Sequence, residues 1–69
     1  MTVKELERAL LSKVPVIYNG IRYKRVTAVI EQLGNEGRYF SAELLDRTER
    51  SVTIARADKI TLAPEGGAV

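Results

Sequence analysis

An Asn-Gly pair at positions 19–20 is the feature that most constrains the fold, because it stands between the apolar stretches "VIY" and "IRY". Such a pair predicts a β-hairpin with a two-residue loop, since both loop residues must adopt positive φ. A loop of this length also sets the strand register. It therefore predicts that Tyr18 faces Ile21 and that Val16 faces Tyr23.

One helix and a series of strands surround this hairpin. Apolar residues recur at three- and four-residue spacing near the start of the chain, which predicts a helix over about residues 2–13 with a stripe of Val3, Leu6, Leu10 and Val14 that Leu11 widens. The remaining patterns predict strands at about 16–18, 21–33, 38–46, 51–55 and 60–62. The apolar phase changes near Lys24 and Arg25, which indicates a bulge or a bend in the long second strand.

Alternation along the strands predicts which side chains share a face. We expect Phe40, Ala42 and Leu44 on one face, with Tyr39 and Leu45 on the other. In the second strand the pattern predicts Val26, Ala28 and Ile30 on one face, with Val29 and Leu33 opposite. In the fourth strand it predicts that Val52 and Ile54 point inward. Residues 1–63 are expected to form a single domain and residues 64–69, "PEGGAV", a disordered tail.

The 69 residues include no Cys and no His. Disulfides and the usual zinc sites are therefore excluded, and a core of this size must be stabilised by packing or by oligomerisation. The commonest general base and the strongest nucleophile are also missing. The nine Asp and Glu residues are spread along the chain. We expect no enzyme activity, no metal, no cofactor and no small-molecule substrate.

The charge and hydropathy patterns indicate where in the cell the protein is expected to reside. The net charge is only +2, and no apolar run approaches the roughly 20 residues of a membrane span. The first ten residues, "MTVKELERAL", carry charges of both signs, which is not typical of a signal peptide. The absence of Cys fits a cytosolic protein. We expect a cytoplasmic protein without membrane association.

The predicted order of one helix followed by bent, short strands resembles the Sm-like fold, and the resemblance covers about residues 3–62. It depends mainly on "IYNGIRYKRV" and "SVTIARADKITL", which look like a strand entering an Asn-Gly turn and a final strand–turn–strand segment. SH3-like barrels are similar, usually without the helix. The chain also resembles short uncharacterised proteins encoded in prophages of Gram-positive bacteria. The resemblance implies a small, partly open antiparallel β-barrel. It transfers no binding residue, because Ile54-Ala55-Arg56 stands where bacterial Sm-like proteins carry Tyr-Lys-His.

Two surfaces are candidate sites. The first is the basic hairpin, in which cations alternate with aromatic rings and could contact nucleic acid or a partner: Tyr18, Arg22, Tyr23, Lys24 and Arg25. A solvated hairpin face would show the same residues, because charged side chains on a strand also deter aggregation.

The second candidate is the apolar face that contains Tyr39 and Leu45. Either the helix covers it, or it binds another copy or a protein partner. Two functions follow from these surfaces. One is an interaction module of phage or prophage origin that binds a protein or itself; the other is a nucleic-acid-binding barrel of the Sm-like type.

Overall fold

The computed structural model describes residues 1–64, so the predicted tail lies almost wholly outside the described residues. A single helix precedes six strands, and a short 3-10 helix separates the last two. The elements are α1 Val3–Ser12, β1 Val16–Tyr18, β2 Ile21–Tyr23, β3 Arg25–Gly34, β4 Gly37–Leu45, β5 Val52–Arg56, the 3-10 helix Ala57–Lys59 and β6 Ile60–Leu62.

Helix α1 begins at a reciprocal cap. The Glu5 amide donates to Thr2 Oγ1 at 3.2 Å, and the Thr2 amide donates to Glu5 Oε1 at 2.8 Å. Lys13 follows the last helical residue as its C-cap and adopts a left-handed conformation with φ of 57°. Leu6 and Ala9 provide its fully buried contacts. The prediction for Leu11 was wrong: its side chain is 81% exposed, because it lies outside the stripe that faces the sheets.

The strands form two antiparallel three-stranded sheets. The first sheet has the order β2-β1-β6 and the second has the order β3-β4-β5. The predicted hairpin register is confirmed, since Tyr18 faces Ile21 and Val16 faces Tyr23. Asn19 and Gly20 have φ values of 54° and 75°, as a two-residue loop requires. The chain is thus mainly β with one N-terminal helix, and no hydrogen-bonded ladder joins the two sheets within residues 1–64.

The predicted long second strand is two strands, β2 and β3, which belong to different sheets. The chain bends between them at Lys24, whose amide donates to the Leu45 carbonyl at 2.8 Å. This bend accounts for the phase change predicted near Lys24 and Arg25, because Tyr23 and Val26 are both buried although they are three residues apart.

A bulge in β3 changes which residues face the core. The register against β4 shifts between Val26 and Ala28, and Thr27 Oγ1 donates to the Glu43 carbonyl at 3.2 Å. Val26 and Val29 consequently face the core. The prediction that Ala28 and Ile30 share a face with Val26 was wrong, since both lie on the opposite side of the sheet.

The face prediction for β5 was also wrong. Ala55 pairs with the buried Ala42 and therefore faces the core, whereas Val52 and Ile54 face away from it. We define the outer face as the side of the second sheet opposite the core. Its residues are Arg25, Ala28, Ile30, Gln32, Tyr39, Ser41, Glu43, Leu45, Val52, Ile54 and Arg56.

The hydrophobic core lies between the helix and the inner faces of both sheets. Its buried residues are Leu6, Ala9, Val16, Tyr23, Val26, Ala42, Leu44, Ala55, Ala57 and Ile60. Helix α1 makes its main contacts with β3 and contributes Leu6 and Ala9 to this cluster. The helix therefore packs on the inner face of the second sheet, while Val52 and Ile54 on the outer face remain about half exposed.

Candidate functional site

The outer face presents an apolar surface built from all three strands of the second sheet. Val52 lies beside Leu45, and Ile54 lies two residues further along β5. Ala28 and Ile30 lie on β3 of the same face, and Glu43 and Ser41 of the central strand separate them from β5. Val52 and Ile54 are 48% and 50% exposed, although both are large apolar side chains. Neighbouring exposed apolar residues of this kind are typical of a binding surface.

Tyr39 and Leu45, for which the strand alternation predicts a common face, lie at opposite ends of the outer face. The Arg56 guanidinium carbon lies 4.5 Å from the centroid of the Tyr39 ring, so the cation covers one side of that ring. Beside this stack, the hydroxyl of buried Ser41 donates to Gln32 Oε1 at 2.8 Å. The Tyr39 end is therefore an ordered polar cluster, and the Leu45 end is the apolar part.

Positive charge accumulates at the Leu45 end. Arg25 pairs with Leu45 on the outer face, and Arg47 and Arg50 are exposed in the turn that follows β4. The ion pairs of residues 1–64 involve other cations: Lys24 with Glu49, Arg38 with Glu31 at 2.8 Å, and Arg56 with Asp58 at 3.8 Å. The apolar surface is thus bordered by Arg25, Arg47 and Arg50, which form no ion pair within the described residues, although Asp46 and Glu49 lie in the same turn.

The turn between β4 and β5 is organised by Asp46. Its Oδ1 accepts hydrogen bonds from the Thr48 hydroxyl and amide, both at 2.8 Å, and from the Arg50 amide at 3.3 Å. Its Oδ2 accepts from the Ser51 hydroxyl at 2.9 Å. These bonds, with that of the Thr48 hydroxyl strongest, lower the pKa of the Asp46 carboxyl to about 2. Asp46 therefore holds the arginine-bearing turn beside the outer face.

We expect acid to destabilise the protein partly through this turn. The pKa of Asp46 falls from 3.8 to about 2 on folding, so the stabilisation is complete above the higher value and is lost as the pH falls through the lower one. Asp46→Asn should lower the thermal midpoint at neutral pH. It should also reduce the loss of stability between these two pKa values, which circular dichroism at a series of pH values would measure.

The control for this experiment is Glu36→Gln, which removes a carboxylate from the turn between β3 and β4. That variant should retain the acid-dependent loss of the parent protein. A loss of equal size in Asp46→Asn and in the parent would show that other carboxylates cause the acid sensitivity.

The aromatic rings of the basic hairpin face the inner side of the first sheet. Tyr23 is 8% exposed and belongs to the core, so its ring is not available to stack on a base. Tyr18 is half-buried, and its ring centroid lies 6.5 Å from that of Tyr23 at an angle of 45°. Both rings face the inner side of the first sheet, because Tyr18 pairs with Ile21 and with the buried Ile60.

The cations of the hairpin are dispersed. Arg22 pairs with Ile17 on the side of the first sheet opposite Tyr23. Lys24 lies at the bend and forms an ion pair with Glu49. Arg25 lies on the outer face of the second sheet. These three charges therefore do not form one patch with the tyrosines.

Other features of the surface do not form a site. An open cleft of about 440 Å³ is lined by residues 34–39 and Arg56, and two of its residues, Arg38 and Arg56, form ion pairs. Within residues 1–64 no three acidic side chains lie close enough together to hold a metal ion. The same part of the chain has no helix with the length and apolar character needed to cross a membrane.

Comparison of the chain with protein-family models, with curated proteins and with solved structures finds no match in any of the three. What the protein does must therefore be inferred from its own residues.

Proposed function

We propose that this chain is a small non-catalytic interaction module that binds a protein, either a partner or another copy of itself, through the outer face of the second sheet. The observation that carries this proposal is the exposure of Val52 and Ile54 beside Leu45, on a face that the helix does not cover. Apolar surface at such positions is costly in water and is stabilised when a partner covers it. The bordering arginines favour a partner that carries negative charge.

We further propose that the two sheets are the halves of a small, partly open β-barrel of the SH3-like or Sm-like kind. Support comes from the bend at Lys24, which carries one continuous segment from the first sheet into the second. Support also comes from the core, which takes residues from both sheets. A role as a cytoplasmic accessory protein of phage or prophage origin belongs to the same proposal and depends on the sequence resemblance.

The geometry favours protein binding over nucleic-acid binding. A nucleic-acid groove combines cations with exposed aromatic rings. Here Tyr23 is buried, and Lys24 is engaged by Glu49. The remaining hairpin arginines, Arg22 and Arg25, lie on different sheets. The Leu45 end of the outer face, in contrast, carries the apolar side chains of Leu45, Val52 and Ile54 next to one another.

Replacing Leu45 with Asp is expected to abolish binding, because it places a carboxylate within the apolar part of the outer face. The matched control is Leu33→Asp, since Leu33 is the same residue type and is exposed, but lies outside the outer face. Immobilised parent protein and both variants would be exposed to a lysate of the source cells, and captured proteins would be identified by mass spectrometry.

We expect a captured protein that is lost with Leu45→Asp and retained with Leu33→Asp, while both variants stay folded by circular dichroism. Equal capture by the two variants would contradict the proposed surface. Binding of the parent protein to labelled single-stranded RNA or DNA, weakening steeply with salt, would instead favour the nucleic-acid function.

A further inference from the structure

Strand β5 is an edge strand of the second sheet. Within the described residues, no strand pairs with its free hydrogen-bonding edge. The sheet order β3-β4-β5 places it at the end, and its ladder runs only to β4. Residues 52–55 carry no charge, no Pro and no Gly, and Val52 and Ile54 are β-branched and exposed. Charged residues, Pro and bulges are the usual features that stop an edge strand from pairing, and in β5 only Arg56, at its end, is of this kind.

The alternation of hydrogen-bonded and non-bonded pairs between β4 and β5 shows which backbone groups of β5 do not bond to β4. The Asp46 amide donates to the Ser51 carbonyl at 3.1 Å, so residues 46 and 51 form a bonded pair. Bonded and non-bonded pairs alternate along an antiparallel ladder. Thr53 and Ala55 therefore bond to β4. Val52, Ile54 and Arg56 direct their N–H and C=O groups toward the open edge. Of these, Val52 and Ile54 also present exposed apolar side chains.

We propose that β5 pairs antiparallel with β5 of a second copy of this chain, about a two-fold axis at Ile54. In this register Ile54 faces its own counterpart, and Val52 faces Arg56 of the second copy. Each of these residues has its backbone groups on the open side, so every opposed pair exchanges both hydrogen bonds. The result is one continuous sheet that runs through both copies.

The number of hydrogen-bonded pairs favours this register over its neighbour. With the axis at Ile54, three opposed pairs within β5 have outward backbone groups, since Ile54 faces Ile54 and Val52 faces Arg56 on both sides of the axis. With the axis at Thr53, only the two pairs of Val52 with Ile54 would lie within β5. Strand β5 is thus most fully paired with its own copy in the register centred on Ile54.

Glu43 explains why the second copy pairs at the edge and does not stack on the outer face. Glu43 lies in the middle of that face, between Ala28 and Ile54, and its Oε1 accepts from Thr27 Oγ1 at 2.7 Å. Symmetric face-to-face stacking would bring two such carboxylates together away from water, which is costly. Edge pairing leaves both in water and joins the two outer faces into one larger surface. A binding role for this joined surface rests on the proposed function.

Sedimentation velocity over a series of protein concentrations tests the pairing, with Ile54→Pro as the variant. Proline removes the Ile54 N–H, which β4 does not use, and edge strands tolerate proline at such positions. Ile54→Thr is the matched control, because it keeps the N–H and a β-branched side chain. We expect a dimer of the parent protein whose dissociation constant rises at least roughly tenfold in Ile54→Pro. The control should change it by less than about threefold.

Amide hydrogen exchange identifies the strand directly. At high protein concentration the amides of Val52, Ile54 and Arg56 should exchange slowly, and on dilution they should exchange rapidly. A monomer at every concentration, with rapid exchange of these amides, would overturn the inference. So would an assembly larger than two copies, because a two-fold pair of edges closes after two. Slow exchange that survives dilution but is lost when residues 65–69 are deleted would assign the edge to that segment instead.

The outcomes separate this inference from the proposed function. Leu45→Asp changes the outer face but not the edge, so it should leave the dimer intact. If no dimer forms while capture of a partner still depends on Leu45, only the β5 pairing is refuted. If the dimer forms but capture does not depend on Leu45, the proposed surface is refuted and the pairing stands.

Discussion

Leu44→Ala is expected to lower the free energy of unfolding by about 3–4 kcal/mol. Leu44 is 0% exposed and lies in the central strand of the second sheet, where it pairs with Val26 on one side and Thr53 on the other. Removing its side chain leaves a cavity that the ladders on both sides keep from closing. A domain of this length has a total stability of roughly 3–10 kcal/mol. Urea denaturation followed by circular dichroism would measure the loss.

Leu33→Ala is the matched control for this prediction. Leu33 is the same residue type but is 80% exposed near the end of β3. We expect its replacement to change the free energy of unfolding by less than about 0.5 kcal/mol. Similar losses in Leu33→Ala and Leu44→Ala would contradict the placement of the core between helix α1 and the second sheet.

Two neighbouring residues of β5 should lose very different amounts of stability when each is replaced by Asp. Ala55 is 2% exposed and faces Ala42, so Ala55→Asp would bury a carboxylate without a partner and should cost more than about 4 kcal/mol. Ile54 faces solvent on the outer face, so Ile54→Asp should cost at most about 1 kcal/mol, mainly through lower β propensity. Circular dichroism and the dispersion of amide resonances would show which variant is folded.

Dilute samples are needed for this comparison, because Ile54 also lies at the proposed dimer edge. The opposite result, a folded Ala55→Asp and an unfolded Ile54→Asp, would restore the orientation that residue types alone indicate for β5. It would also remove the exposed apolar surface on which the proposed function depends.

Strand β5 shows that the alternation of residue types along a strand does not always identify its buried face. The segment "VTIAR" alternates β-branched apolar residues with smaller ones, and the larger residues are the natural choice for the core. The core instead takes Ala55, and Thr53 lies half-buried beside Leu44. The register of β5 against β4 sets this orientation, and that register cannot be inferred from the residues of β5 alone.

The bulge at Thr27 is a second case. The phase change near Lys24 was visible in the sequence, and it corresponds to the bend between β2 and β3. The second shift, between Val26 and Ala28, was not predicted. A single Thr in an apolar run does not identify a bulge, because its side-chain bonds to Glu43 form only when β4 is alongside. Ile30 was consequently placed on the wrong face.

The candidate site was predictable only in part. Tyr39 and Leu45 were placed on the face opposite the core because they alternate with Phe40, Ala42 and Leu44 along one uninterrupted strand. Val52 and Ile54 were missed, because the pattern had placed them inside. Their position on the outer face follows from the register of β5 against β4, which the sequence pattern does not give.

Short-range chemistry determined the parts of this protein that the sequence predicted by itself: the N-terminal helix, the Asn-Gly turn with its register, and the predominance of β structure. These depend on steric and hydrogen-bonding preferences of residues a few positions apart. Only the tertiary structure decided which faces of β3 and β5 are buried, how the basic hairpin is dispersed, and which strand edge is left open. Those outcomes depend on contacts between residues distant in the chain, where the volume of the shared core selects among local patterns that are otherwise equally favourable.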